Sequence, residues 1–80
     1  MSSTKNAPRV LHVDWVAVGR RIRELRGFGL TQAEFAKRID ISQNYLSSME
    51  HGKVQVGAEI LLKIGREFGR TVEWLLTGKE

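Results

Sequence analysis

The stretch at residues 30–53, LTQAEFAKRIDISQNYLSSMEHGK, decides the fold of this chain. Within it, Thr31 followed by Glu34 forms the T-x-x-E pattern of a capping box, in which each side chain satisfies a backbone N–H group of the other residue. Ser42 is a second good N-cap residue, and Gly52 stands where a left-handed residue usually follows a helix. The stretch therefore predicts two short helices joined by a tight turn.

Apolar residues at helical spacing predict three more helices, one before this stretch and two after it. Asp14 is the expected N-cap of the first helix in the chain, Gly57 begins the fourth, and Thr71 caps the fifth. Residues 1–13 are polar and show no sustained period, which predicts a flexible N-terminal tail. The sequence therefore predicts an all-α fold, a compact five-helix bundle that forms one domain over residues 14–80.

The composition narrows the range of functions. Thirteen Lys and Arg against nine Asp and Glu give a net charge of +4, which favours a polyanionic partner. The chain has no cysteine, no metal-ligand cluster and no nucleophile–base pair, so we expect neither a metal or cofactor nor enzymatic activity. No apolar run approaches the roughly 18 residues of a membrane span. We therefore expect a cytoplasmic protein that binds no membrane.

The third predicted helix has two chemically different faces. At about 100° per residue, Gln43, Asn44, Ser47 and Ser48 share one half that is polar but uncharged, whereas the other half is mostly apolar. A helix face that merely meets solvent usually carries Lys, Glu and Arg, which are good helix formers. Amide and hydroxyl groups can instead donate to and accept from base edges in the DNA major groove. The face indicates DNA recognition, with an ordinary polar surface as the alternative.

Four segments occur in order along the chain, LTQAEFAKR at 30–38, SQNYLSSMEHGK at 42–53, LLKI at 61–64 and TVEWLLTG at 71–78. Together they resemble the phage-repressor and Cro-type helix-turn-helix family, whose fold is that of the lambda-repressor-like DNA-binding domains. The chain departs from this family at the turn Gly27-Phe28-Gly29, which is about a residue shorter than usual, and at Gly57, where a Ser or Thr cap is common. The resemblance covers residues 14–78.

The resemblance implies roles for individual residues. It makes residues 42–51 the recognition helix, which enters the major groove of double-stranded DNA. Base edges would be met by Gln43, Asn44 and Ser48, with Ser47 a weaker candidate. DNA phosphates would be contacted by residues at the start of the second helix and around the third, namely Thr31, Gln32, Tyr45 and Lys53.

Two further roles follow from the same resemblance. The family alignment places Arg26 opposite Glu50, so we expect an ion pair that braces the third helix against the first. Trp74, in the last helix, is either a core aromatic or a contact of a homodimer, because the C-terminal helix of this family often packs against its two-fold mate. A dimer of such domains reads half-sites about one DNA turn apart.

Two functional hypotheses remain open. The first is a transcriptional regulator, a repressor that occupies a palindromic operator as a dimer and is associated with the nucleoid, with no small-molecule ligand evident. The second is a protein-interaction module, such as the antitoxin of a small regulatory pair. The uncharged polar face of the third helix favours the first, since acidic or bulky apolar residues would be expected there if DNA binding had been lost. A membrane-surface peptide is disfavoured, because the cationic residues do not lie along one amphipathic helix.

Overall fold

A computed structural model describes residues 12–79. Over that range the chain forms helices only, which confirms the predicted all-α, five-helix architecture. The predicted tail at residues 1–13 falls mostly outside the described residues, and His12 and Val13 precede the first helix without regular structure. The helices are α1 (Trp15–Arg26), α2 (Gln32–Arg38), α3 (Gln43–Glu50), α4 (Ala58–Phe68) and α5 (Val72–Thr77).

Local capping explains where four of these helices begin. The side chains of Asp14, Ser42 and Thr71 each accept a hydrogen bond from the backbone N–H three residues later, at 2.9–3.1 Å. At α2 the capping box is complete: Glu34 N donates to Thr31 Oγ1 at 3.1 Å, and Thr31 N donates to Glu34 Oε1 at 2.9 Å. α4 begins at Gly57 without a side-chain cap.

One hydrophobic core joins all five helices. Phe35 of α2 lies at its centre and stacks in parallel on Phe68 of α4, with ring centroids 4.5 Å apart. A Cβ atom at Gly19 would collide with the backbone carbonyl groups of Met49 and Glu50, so α1 and α3 cross at close range. The buried apolar residues are Val18, Ile22, Phe35, Ala36, Ile39, Leu46, Met49, Val56, Leu61, Ile64 and Leu75.

The turn between α2 and α3 sets the angle at which α3 is presented. Asp40 adopts the left-handed conformation there, with φ of 61°. Two reverse hydrogen bonds close the turn, from Ile41 N to Ala36 O at 3.0 Å and from Asp40 N to Lys37 O at 3.2 Å. This is the Schellman pattern, in which glycine is the favoured left-handed residue.

Within residues 12–79, no helix combines the length and the apolar character needed to cross a membrane.

Candidate nucleic-acid interface

The polar face of α3 is open to solvent in the structure. Gln43 and Asn44, in its first turn, are exposed, and Ser47 and Ser48 are half-buried one turn later. The opposite side of the helix is closed, because Leu46 and Met49 are fully buried in the core. The structure therefore brings all four predicted base-reading residues onto one accessible face of α3.

Residues around this face differ in how much of their hydrogen-bonding capacity remains available. Lys53 is exposed just beyond α3, and its backbone N–H donates to Ser48 O at 3.0 Å. Tyr45 is half-buried against the core. His51 Nδ1 lies 2.7 Å from Ser47 O, and since a carbonyl oxygen can only accept, this ring nitrogen donates and holds the ring against the helix.

The C-terminal end of α3 is anchored by a buried carboxylate. The side chain of Glu50 is completely inaccessible, whereas that of Arg26 is 18% exposed. Arg26 Nε donates to Glu50 Oε2 at 2.8 Å and Arg26 Nη2 to Glu50 Oε1 at 2.9 Å, the two-pronged geometry that an arginine–carboxylate pair favours. Gln32 Nε2 donates to Glu50 Oε1 at 2.9 Å. Arg26, Gln32 and Glu50, which tie α1, α2 and α3 together, are called the Glu50 junction below.

The protonation of this junction follows from competing effects. Burial raises the pKa of Glu50, but the hydrogen bonds from Arg26 and Gln32, together with the charges of Arg26 and Arg23, outweigh burial and hold that pKa below its usual value. The hydrogen bond to Glu50 raises the pKa of Arg26 in turn. Both partners are therefore charged at neutral pH, and the carboxylate is matched by donors from two other helices.

Gln32 has a contact that sequence reasoning missed. The family resemblance predicts that Gln32 contacts a DNA phosphate, whereas in the structure its side-chain nitrogen donates to Glu50, 18 residues away in the chain. No local pattern signals such a pairing, because an amide on a helix can meet many partners. Thr31 is also engaged, since its amide and its hydroxyl oxygen both belong to the capping box. Its hydroxyl proton is still free to donate, as an accepting hydroxyl keeps its own donor.

Trp74 is half-buried in α5 and packs against the core. The guanidinium carbon of Arg70 lies 3.7 Å from the centroid of its ring, a cation–π contact that covers one face of the indole.

Across the described residues, no group of three or more His, Cys, Asp or Glu side chains is placed to hold a metal ion.

A helix-turn-helix family model matches residues 20–75, which is more than half of the chain and contains the whole Glu50 junction together with α3. The chain belongs to this helix-turn-helix family. This match, together with the relatives and solved structures that follow, confirms the resemblance to the phage-repressor and Cro type and membership in a family of DNA-binding transcriptional regulators.

Curated relatives of this helix-turn-helix chain carry regulatory names. A propionyl-CoA carboxylase regulator of Cereibacter sphaeroides is 42% identical over 62 residues, which are 76% of this chain and 13% of that protein. The regulator RamB of Mycobacterium tuberculosis is 40% identical over 65% of this chain and 11% of its own length. An uncharacterised regulator of Archaeoglobus fulgidus is 35% identical over 66% of this chain and 77% of its own length. The chain thus spans only a small part of the first two relatives.

Solved helix-turn-helix structures superpose well on this fold. The regulator ClgR of Corynebacterium glutamicum has a TM-score of 0.71 and 30% identity, over 81% of this chain and 70% of its own. The P22 c2 repressor, solved with a synthetic operator, has a TM-score of 0.72 and 27% identity, over 78% and 96%. The restriction-modification controller protein C.AhdI of Aeromonas hydrophila has a TM-score of 0.70 and 30% identity over the same shares. The lambda-repressor-like fold is therefore confirmed.

Proposed function

We propose that this chain binds double-stranded DNA sequence-specifically by placing α3 in the major groove, and that it represses transcription by occupying an operator as a homodimer. The observation that supports this most strongly is the accessible face of α3, on which Gln43, Asn44, Ser47 and Ser48 lie together. The buried side of the same helix packs in the core and carries Glu50 of the junction, which fixes the direction in which the polar face points. We infer that the chain acts by binding alone, in the cytoplasm and at the nucleoid.

Base reading falls to the first turns of α3 in this proposal. The N-terminal residues of a recognition helix are those that reach base edges. Gln43 and Asn44 are exposed there, and a side-chain amide can bond bidentately to adenine, which discriminates against a wrong base by about 1–3 kcal/mol. Ser47 and Ser48, one turn further along, have shorter side chains and would contribute hydroxyl hydrogen bonds where the helix lies closest to the DNA.

Phosphate contacts would fix the register of α3 in the groove. Lys53 is exposed immediately after α3 and would supply a point charge. The Thr31 hydroxyl keeps a donor, the Tyr45 hydroxyl can donate, and the Gln32 amide would reach a phosphate while it holds Glu50. Such contacts provide affinity that falls as salt rises, but they carry no sequence information.

Two observations support the proposed homodimer, one from a structural relative and one from α5. The P22 c2 repressor, which shares 27% identity, was solved with an operator. In this chain, Val72, Trp74 and Leu76 of α5 are only partly buried and would gain from packing against a second copy. A dimer would double the contacts with a palindromic site.

The test of sequence-specific binding begins with selection from a random duplex library. Fluorescence anisotropy across a salt series then compares the selected duplex with a random one. We expect a palindromic consensus that binds at least ~10³-fold more tightly than random duplex, with affinity falling steeply as salt rises. No enrichment, or binding indifferent to sequence, would contradict the proposal and would favour the protein-interaction alternative, in which α3 meets a partner such as a toxin.

The dimer has its own test in analytical ultracentrifugation. We expect Trp74→Ala to shift the chain towards monomer and to weaken binding to the full palindrome more than to a single half-site. Trp15→Ala, which removes a half-buried indole from the start of α1, is the matched control and should leave association unchanged. A wild-type chain that stays monomeric at high concentration and on the palindrome would refute the dimer.

A further inference from the structure

The corner between α1 and α2 combines features that the interface described above does not use. Phe28, in the turn between these helices, is fully exposed at 110% relative accessibility. It borders a groove of about 500 Å³ whose lining is Arg20, Arg23, Glu24, Arg26, Gly27 and Phe28. Arg20 and Arg23 are exposed here beside the single exposed carboxylate of Glu24, whereas the charge of Arg26 is already matched by Glu50, so the groove is modestly basic. Arg20, Arg23 and Phe28 are called the Phe28 corner below.

The Phe28 corner adjoins the anchored end of α3. Arg23 Nε lies 3.8 Å from Glu50 Oε1, the same oxygen to which Gln32 donates, and the Arg23 side chain is nevertheless 57% exposed. Arg20 is exposed one turn earlier on the same side of α1, since residues three apart on a helix are neighbours. Arg23, with Arg20 beside it, therefore stands next to the C-terminal end of α3.

The position of the corner fits the edge of the major groove. α3 has eight residues, so the helix is about 12 Å long from end to end. The major groove is also about 12 Å wide. If Gln43 and Asn44 lie at the bases, as the proposed function has them, the C-terminal end of α3 and the corner beside it would lie towards one border of the groove, where the phosphates are.

We infer that the Phe28 corner is a second, sequence-independent contact with the DNA backbone, in which Arg20 and Arg23 bind phosphates and the Phe28 ring packs on a deoxyribose. The inference rests on the proposed function, because it takes the placement of α3 as given. Arginine suits this role, since its planar guanidinium can bind phosphate oxygens with two parallel hydrogen bonds. The C–H groups of a deoxyribose give an exposed aromatic ring an apolar surface on DNA to pack against. The contact lengthens the DNA footprint beyond the bases that α3 reads.

Two substitutions with matched controls test the corner. Phe28→Ser removes the ring and Arg20→Gln removes a charge. Leu62→Ser and Arg66→Gln make the same kinds of change at exposed positions on α4. Affinity is measured by anisotropy on the selected duplex, once trimmed to the consensus and once extended by flanking base pairs, across a salt series. Thermal unfolding confirms that all four variants fold.

On the extended duplex we expect Phe28→Ser to weaken binding about fivefold or more, by a factor that does not change with the flanking sequence. Arg20→Gln should reduce the slope of log affinity against log salt by about one phosphate contact. Both controls should stay within about twofold of wild type. Phe28→Ser and Arg20→Gln variants that bind the extended duplex as tightly as wild type would overturn the inference. This holds even if the same variants lose binding to a partner protein. If wild type itself shows no sequence preference, it is the proposed function that fails.

Discussion

The two ends of α3 differ in how they are exposed and in what they contact. At its C-terminal end, Glu50 is completely buried and receives hydrogen bonds from Arg26 and Gln32. At its N-terminal end, Gln43 and Asn44 are exposed and available to a partner. Separate residues therefore anchor α3 and, in the proposed function, contact the bases. Substitutions at the two ends should therefore have separable effects on stability and on binding.

The largest expected effect comes from Glu50→Ala. This change leaves the mostly buried Arg26 guanidinium without its counter-charge, and removing one partner of a buried pair typically costs about 3–5 kcal/mol. We expect the free energy of unfolding to fall by about 3 kcal/mol and the melting temperature to fall by at least ~12 °C.

The measurement for Glu50→Ala is urea or thermal unfolding followed by circular dichroism. Glu24→Ala, which removes an exposed carboxylate from α1, is the matched control and should change stability by less than about 0.5 kcal/mol. An unchanged melting temperature for Glu50→Ala would contradict the claim that the Glu50 junction stabilises the fold.

Acid should weaken the same end of α3. The pKa of Glu50 is held below its usual value in the folded chain, so its contribution to stability is complete above the unfolded-state pKa of about 4.3 and is lost as pH falls through the folded-state value. The stability difference between wild type and Glu50→Gln should be constant near neutrality and should shrink below about pH 4. Urea unfolding at a series of pH values measures this difference, and a difference that stays constant down to pH 3 would show that the carboxylate gains nothing from its charge.

At the other end of α3, Asn44→Ala should change binding and leave the fold intact. We expect a loss of about 1–3 kcal/mol in affinity for the selected duplex and weaker discrimination at one base pair, with a change in unfolding free energy of less than about 0.5 kcal/mol. Anisotropy on duplexes with single base-pair changes measures the discrimination. Lys53→Ala is the informative counterpart, because losing a phosphate contact should weaken binding equally on all of these duplexes. If Asn44→Ala behaves as Lys53→Ala does, Asn44 does not read bases.

The smallest expected effect lies in the turn that joins α2 to α3. Asp40 occupies a left-handed conformation that glycine adopts without steric cost, and its negative charge stands at the unfavourable C-terminal end of α2. We expect Asp40→Gly to stabilise the chain by about 0.5–1 kcal/mol without changing DNA affinity. Asp40→Asn should give part of that gain, since asparagine tolerates this conformation and is uncharged. A destabilised Asp40→Gly in chemical unfolding would show that the Asp40 side chain makes a contact that outweighs the strain.

Local features of this fold could be predicted from the sequence because their causes are local. The N-caps at Asp14, Thr31, Ser42 and Thr71 act over three residues, and each begins a helix in the structure. Apolar residues at helical spacing, such as Val18 and Ile22 of α1, are likewise buried in the structure. The five-helix architecture and its family therefore followed from short-range pattern and resemblance.

Contacts between distant residues could not be predicted in the same way. The hydrogen bond from Gln32 to Glu50 depends on how three helices pack, and so does that from Arg21 Nη1 to Leu75 O, which spans 54 residues. The Arg26–Glu50 contact was expected only because the family alignment paired the two residues. The left-handed conformation of Asp40 was missed, since aspartate is not the residue that usually signals it.

The most direct test of the division within α3 is an NMR titration of the isotopically labelled chain with the selected duplex. The side-chain NH2 groups of Gln43, Asn44 and Gln32 are the probes, the first two at the exposed N-terminal end of α3 and the third at the Glu50 junction. We predict the largest shift changes at Gln43 and Asn44, and smaller ones at Gln32 because Glu50 holds its amide. Shift changes confined to α4 and α5, with the Gln43 and Asn44 amides unmoved, would contradict the claim that the N-terminal end of α3 reads DNA.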